Sequence, residues 1–455
     1  MKKNIILVIA SAIAFVLLFV FFSVRFKSPE NAMLPPRPST QNQEILEAFQ
    51  KSINKNTDYQ LKYPLTGQYK NPFTFCDIDG DGSNEVLVFY TSEKSGSTTR
   101  INILDHQHGK WVSVLDEEGY GMDVYSVDFE DLDGDKIPEL LISWLVVPNT
   151  QSRTLTVQKV EIDSHSHLHL RALLDQQYRS MAVTDMDGDS RNELLVIWAK
   201  SAEDASQTYA SLFKMDKNSN LRSCGKKVPM DNGVSGYSNW NFQQIQNHKV
   251  AFVDAYKGER GMITEIIWWD KDRKNLVAPF SDNDSLTNSA TYRSLRIPSL
   301  SIGNNSTKEI PLLVNNYEGE LKKLKNGESL VPIVCWYSVK ITGDDVQLIP
   351  QDYTLVNTSE QYILPVPRDM VQSLLGIREH IGTTTVYEYR AGKRAEPLFT
   401  IDYKISHKTK NAADKEDPYS FRIYHGRFTA SGKLTEDGLK NGFTSDFLEQ
   451  NLKFY

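Results

Sequence analysis

Hydrophobic and polar positions fall into three regimes along this chain. The first is residues 5–22 (IILVIASAIAFVLLFVFF), eighteen consecutive residues without a charge and with Ser11 as the one polar member. At 1.5 Å per residue this run is roughly 27 Å long as a helix, enough to cross a hydrocarbon core. Its exit, FVFFSVRFK, is aromatic and then basic rather than a small-x-small cleavage site, and no cysteine precedes Cys76. Residues 1–27 therefore read as an uncleaved signal anchor, a transmembrane helix. The next stretch, SPENAMLPPRPSTQNQ, is a polar, Pro-rich spacer, and EILEAFQKSINK sets Ile45, Leu46, Phe49 and Ile53 at helical spacing. Residues 28–65 are thus a linker with a short amphipathic helix.

The second regime is β. Between 66 and 200 the chain alternates short apolar runs with turn-like polar clusters. One repeat reads FTFCDID, EVLVFY, TTRINILD and KWVSVLD; the next reads YSVDFED, ELLISWLVV, RTLTVQKVEI and LHLRALL. In each, the second run is continuously apolar, as for a strand buried on both faces, and the outer runs alternate. The junction of the first and second runs recurs as DIDGDGSNE, DLDGDKIPE and DMDGDSRNE, whose first aspartates stand at 77, 131 and 185, two intervals of 54. Four antiparallel strands in a fixed period of that size predict one propeller blade per repeat. Degenerate copies start at Asp254 (VDAYKGERGMITEIIWW, keeping Glu265) and Ser301 (SIGNNSTKEIPLLV, keeping Glu309). The predicted fold is mainly β: a β-propeller of about five blades over residues 66–358, to which flanking strands can add a sixth. In the third regime, 359–455, the repeat is lost. Runs rich in Tyr387, Tyr389, Phe399, Tyr403, Phe421 and Tyr424, then a helical LTEDGLKNGFTSDFLEQNLKF, predict a small α+β domain whose aromatics pack its core.

The recurring junctions carry the chemistry. Numbered from the first Asp, carboxylates occupy positions 1, 3, 5 and 9: Asp77, Asp79, Asp81 and Glu85; Asp131, Asp133, Asp135 and Glu139; Asp185, Asp187, Asp189 and Glu193. Position 4 is Gly80, Gly134 or Gly188, which lets the backbone turn around a centre. Four clustered carboxylates repel one another unless a cation joins them, and oxygen-only ligands select a hard ion. Backbone carbonyls at position 7 (Ser83, Ile137, Arg191) and water complete the 6–8 oxygens that Ca2+ prefers. Magnesium tolerates so crowded a cage poorly, so about three calcium sites are expected. An EF-hand also opens D-x-D-x-D but needs an acid at position 12, where this chain has Val88, Ile142 and Val196.

These loops resemble the calcium loops of FG-GAP and VCBS-type repeats, and the whole chain resembles membrane-anchored bacterial surface proteins built from them. The resemblance implies calcium loops on a propeller blade. The chain departs from it in having no Phe-Gly before the strands and no Gly-Ala-Pro after them, so no ligand recognition carries over.

A net charge of −7 with no basic stripe excludes nucleic acid as a partner class. Lys2 and Lys3 against Arg25 and Lys27 bias the anchor's orientation only slightly; the calcium chemistry places the C-terminal body outside the cytoplasm, where calcium is high. Three scattered cysteines (Cys76, Cys224, Cys335) give no disulfide framework. Lys257 stands in the fourth-copy loop, where its ammonium can replace an ion by pairing with Asp254 or Glu265. His106 and His108, and His165, His167 and His169, lie in outer hairpins and read as polar turn residues ahead of a zinc or copper site. No catalytic residue is assigned, since no nucleophile elbow, zincin or phosphate-loop motif occurs. The expected function is that of a cell-surface binding or adhesion module for a protein or glycan, with calcium chiefly structural. The alternatives are an extracytoplasmic polysaccharide lyase or hydrolase, and a calcium-responsive sensor.

Overall fold

The computed structural model describes residues 40–53, 57–93, 95–146, 153–164, 167–199, 207–280, 290–302, 307–314, 319, 322–390, 393–405, 419–425 and 428–455. The apolar segment 5–22 lies outside them; among the described residues no helix is long and apolar enough to cross a membrane.

The described residues fold into six antiparallel sheets of four to six strands. The first contains β1 (Tyr59–Lys62), β2 (Phe73–Cys76), β3 (Glu85–Ser92), β4 (Arg100–Gln107) and β5 (Lys110–Glu118). There β1 and β2 lie end to end along one edge of β3, pairing Lys62 with Phe89 and Phe73 with Val88. The second sheet runs β6 (Asp123–Glu130), β7 (Glu139–Leu145), β8 (Arg153–Ile162) and β9 (Leu168–Tyr178). The third runs β10 (Ser180–Thr184), β11 (Glu193–Ala199), β12 (Thr208–Met215) and β13 (Leu221–Met230), and the fourth β14 (Val234–Ile245), β15 (His248–Lys257), β16 (Gly261–Asp270) and β17 (Asn275–Val277).

Two sheets then interleave along the chain. Their strands are β18 (Ile310–Leu313), β19 (Ser329–Val331), β20 (Ile333–Thr342), β21 (Asp345–Asn357), β22 (Tyr362–Pro365), β23 (Leu374–His380), β24 (Thr383–Arg390), β25 (Lys393–Ile405), β26 (Ser420–His425), β27 (Phe428–Leu434) and β28 (Lys453–Phe454). The fifth sheet has the order β18-β20-β21-β22-β28 and the sixth β19-β23-β24-β25-β27-β26. The sequence boundary at 358/359 therefore falls inside a hairpin. β21 and β22 pair Asn357 with Tyr362, and the C-terminal strand returns to pair Tyr362 with Phe454. Residues beyond 358 thus belong to two sheets, each shared with earlier strands, together with two short helices, Glu436–Lys440 and Ser445–Asn451.

Packing explains why the second strand of each early sheet is apolar throughout. Side chains of a strand alternate between faces, and both faces here meet a neighbour. Leu87 and Phe89 pack with Leu140, Ile142 and Trp144 between the first and second sheets. Leu141 packs with Leu194 and Val196 between the second and third, and Leu195 and Ile197 with Phe252, Ile267 and Trp268 between the third and fourth. The remaining face of the first sheet, with Val86, Val88 and Tyr90, is covered by Ile45 and Phe49 of helix α1 (Thr40–Ser52). The predicted amphipathic helix thus caps the stack. A tryptophan on the second strand locks onto a hydroxyl of the third in three sheets: Trp144 Nε1 donates to Thr156 Oγ1 (2.9 Å), Trp198 Nε1 to Ser211 Oγ (2.9 Å) and Trp336 Nε1 to Thr354 Oγ1 (2.7 Å).

Candidate metal centre in the acidic loops

Each acidic motif links the first strand of a sheet to the buried second strand, and the three loops share one hydrogen-bond design. The position-1 carboxylate accepts from the backbone N–H groups of positions 4 and 6: Gly80 and Gly82 onto Asp77 (2.8 and 3.0 Å), Gly134 and Lys136 onto Asp131 (2.7 and 3.0 Å), Gly188 and Ser190 onto Asp185 (2.6 and 3.0 Å). Oδ1 of position 3 accepts from the N–H of position 5 (3.1, 3.2 and 3.1 Å). Oδ1 of position 5 accepts from the N–H of Ser83, Ile137 or Arg191 (2.7, 2.8 and 3.0 Å). The glutamate at position 9 is wholly buried at the start of the second strand, and its Oε2 accepts from the N–H of Ile78, Leu132 or Met186 (2.9, 2.8 and 2.7 Å).

In the second and third loops this wiring leaves three oxygens turned to a common centre, Oδ2 of positions 3 and 5 and Oε1 of position 9, all within 3.2 Å of one lysine Nζ. The carboxylates gather in groups whose ligand atoms lie within 4.8 Å of one another: Asp77, Asp79 and Glu85; Asp131, Asp133 and Glu139; and Asp185, Asp187, Asp189 and Glu193. Each group could hold a metal ion. Gly80, Gly134 and Gly188 have φ of +79°, +80° and +74°, the left-handed region that the turn requires and that glycine enters freely.

The loops differ in what faces that centre from the third strand of the sheet. Leu140 is paired with Gln158 and Leu194 with Phe213, so the next residues, Lys159 and Lys214, stand opposite Glu139 and Glu193. Lys159 Nζ lies 2.5 Å from Asp133 Oδ2, 2.7 Å from Asp135 Oδ2 and 3.2 Å from Glu139 Oε1. Lys214 Nζ lies 2.5 Å from Asp187 Oδ2, 2.7 Å from Asp189 Oδ2 and 3.1 Å from Glu193 Oε1. In the first sheet Val86 pairs with Leu104, which brings Asp105, another carboxylate, opposite Glu85. There Glu85 Oε1 is buried without a hydrogen-bond partner, as is Glu193 Oε1 of the third loop, but Glu193 has the Lys214 ammonium 3.1 Å away.

Titration behaviour differs at the aspartates, while burial raises the position-9 glutamate in all three loops. Burial, aided by the charges of Asp79, Asp105 and Asp81, pushes Glu85 up to about 7. Asp79 is raised too, by burial first and by its acidic neighbours. Asp133 is lowered instead: burial opposes ionisation, but the Lys159 ammonium and the Ser219 hydroxyl outweigh it. Asp189 is lowered in the same way by Lys214 and the Arg191 N–H.

The fourth copy forms no loop of this kind. β15 and β16 run on as an extended hairpin, pairing Asp254 with Thr264. Lys257 pairs with neither Asp254 nor Glu265; its Nζ lies 2.5 Å from Asp231 Oδ2, both side chains buried. Asp254 is neutralised by Arg293, 3.0 Å away and fully buried. Among the histidines, His106 packs against Trp111 with the rings tilted by 55° and His169 pairs with Glu161 at 3.3 Å; His165 lies outside the described residues. Sequence reasoning missed Asp105, Lys159, Lys214 and Arg293. The first three had a signal: they stand 28, 28 and 29 residues after the first aspartate of their repeats.

No family model matches the chain, and no curated protein matches it. Solved structures that align with it include a proposed 6-phosphogluconolactonase from Bacteroides uniformis, at 14% identity over 74% of this chain and 90% of that one with a TM-score of 0.27. Another is the V. cholerae biofilm matrix protein Bap1, at 12% identity over 80% of this chain and 77% of that one with a TM-score of 0.17. At such scores neither likeness bears on fold or activity.

Proposed function

We propose that this chain is a calcium-stabilised surface module of FG-GAP/VCBS type, held to a membrane by residues 5–22, that presents a propeller-type array of sheets outside the cell to a protein or glycan. The observation that carries the calcium reading is the first loop. Asp77, Asp79 and Glu85 gather within 4.8 Å of one another, the charges of Asp81 and Asp105 act on the same site, and one buried Glu85 oxygen has no N–H or O–H to satisfy it. A purely oxygen donor set of that charge suits a hard divalent ion. Buried unpaired carboxylate oxygens are costly, and a cation removes that cost.

The propeller reading is supported by the face-to-face succession of sheets, each with a buried second strand. α1 covers the face of the first sheet turned away from the second, so the support is for a succession of stacked sheets and not for a closed ring. The catalytic alternative gains less support. The cavity of about 440 Å³ beside β21 and β22 has one carboxylate, Asp352, with Arg368 and Lys453, and lacks a second acid for proton transfer.

The test is thermal melting of the full chain in detergent with calcium or magnesium. With a dissociation constant of roughly 0.1 mM, typical of extracellular modules, 1 mM calcium stabilises one site by about 1.4 kcal/mol. Calcium is expected to raise the melting temperature and equimolar magnesium to leave it almost unchanged. An unchanged melting temperature up to several millimolar calcium sinks the proposal.

A further inference from the structure

The three acidic loops have the same motif, yet the residue facing each differs in sign. We propose that Lys159 and Lys214 are resident cations that permanently fill the second and third loops, so that the chain takes one divalent cation, in the first loop, with Asp105 as a ligand-side carboxylate. The inference rests on the calcium reading of the first loop and adds to it the stoichiometry and the residue that sets it.

Geometry carries it. In the second and third loops a single Nζ lies 2.5–3.2 Å from the same three oxygens that would bind an ion, Oδ2 of positions 3 and 5 and Oε1 of position 9. Calcium–oxygen distances are about 2.3–2.6 Å, so an ion among those oxygens would sit on the nitrogen. The two lysine side chains are mostly enclosed, at 15% and 23% exposure, and swinging either out would leave a wholly buried glutamate without its counter-charge.

The loops' covers follow the same rule. A Cβ on Gly80 would fall 2.8 Å from Ile137 Cδ1, so the first loop is roofed by an apolar side chain. Gly134 lies against the Arg191 side chain and Gly188 against Lys271, so the other two carry a second cation nearby. Ser219 Oγ adds a hydrogen bond to Asp133 Oδ2 at 2.9 Å, taking up further acceptor capacity in the second loop. Lysine-filled loops give the second and third sheets their staple at any calcium level, leaving the first sheet, which follows the membrane spacer, as the one that responds to calcium.

Calcium binding to the full chain in detergent, read by titration calorimetry, tests this directly. The unaltered chain is expected to bind one calcium, Lys159→Asp two, and Lys159→Asp/Lys214→Asp three, while Asp105→Lys binds none. Lys159→Met guards against misfolding of the aspartate variant: its melting temperature should fall without calcium and recover with it. Three calcium ions bound by the unaltered chain overturn the proposal and leave the calcium reading standing. No calcium in the unaltered chain but one gained in Lys159→Asp supports the resident lysine and removes the first-loop reading. No binding in any variant overturns both.

Discussion

The buried pair between Asp254 and Arg293 offers a severe check on the idea that this fold replaces ions by side chains. Arg293 has no exposed side-chain surface, and its guanidinium donates to Asp254 Oδ1 (3.0 Å), Thr264 Oγ1 (3.1 Å), Thr291 O (3.1 Å) and Ile297 O. Asp254 also accepts from Thr264 Oγ1 at 2.7 Å and from the N–H and hydroxyl of Ser299, each at 2.9 Å. Arg293→Met leaves a buried carboxylate with three hydrogen bonds and no counter-charge. Removing one partner of such a pair costs about 3–5 kcal/mol, whereas removing both is often close to neutral. Asp254→Asn should cost a similar amount, and the double variant less than the sum of the two. If the double variant costs no more than one single variant, the coupling energy is at least about 3 kcal/mol. Urea unfolding followed by tryptophan fluorescence measures it, since Trp268 and Trp269 are buried on β16 of the same sheet. Costs that add to within about 0.5 kcal/mol would refute the pairing, because that is the behaviour of independent sites.

Two further outcomes follow from single residues. Glu265 is fully buried and pushed up to about 8, by burial first and then by the Asp231 charge. The folded chain therefore holds a proton between pH 4.5 and 8 that the unfolded chain releases, so stability falls as pH rises through that window, by at most about 1.4 kcal/mol per pH unit. Glu265→Gln keeps an acceptor for the Asp231 N–H and should flatten that part of the stability–pH curve; parallel curves for the two proteins refute the assignment. Gly80→Ala places a Cβ at φ +79° and 2.8 Å from Ile137, and should lower stability by about 1–2 kcal/mol. Gly82→Asn is the control. Its φ of +90° faces open space, and Lys136 and Ser190 hold φ of +73° at the same loop position. Equal losses in the two variants, measured by thermal melting in chelator, would show that the Ile137 contact does not matter.

How far the sequence could be read depended on the distance over which each feature is encoded. The runs EVLVFY, ELLISW and ELLVIW were legible as buried strands because both faces of β3, β7 and β11 meet apolar neighbours, so even and odd positions obey one rule. The loop carboxylates were legible because all four act within nine residues. The boundary near 358 was not, because β28 is two residues long and carries no periodicity, yet it completes the fifth sheet from the far end of the chain. Arg293 could not be found either; it reaches Asp254 from an irregular segment with no counterpart in the other repeats.

Asp105, Lys159 and Lys214 mark an intermediate case that bears on chemistry. In a half-exposed third strand, alternation registers each of them only as polar, and their opposite charges look equivalent to any pattern of apolar and polar positions. Register changes that. Once the second and third strands are paired, the three residues occupy one structural position, opposite the buried glutamate. A motif confined to nine residues gathers the carboxylates, but the charge that faces them comes from a residue of the neighbouring strand. Loops with the same four carboxylates therefore face different charges without any change in the motif itself. On the proposal that Lys159 and Lys214 fill their loops, the three D-x-D-G-D motifs of this chain bound its metal sites from above, and the sign of the residue 28 or 29 positions after each first aspartate sets the number.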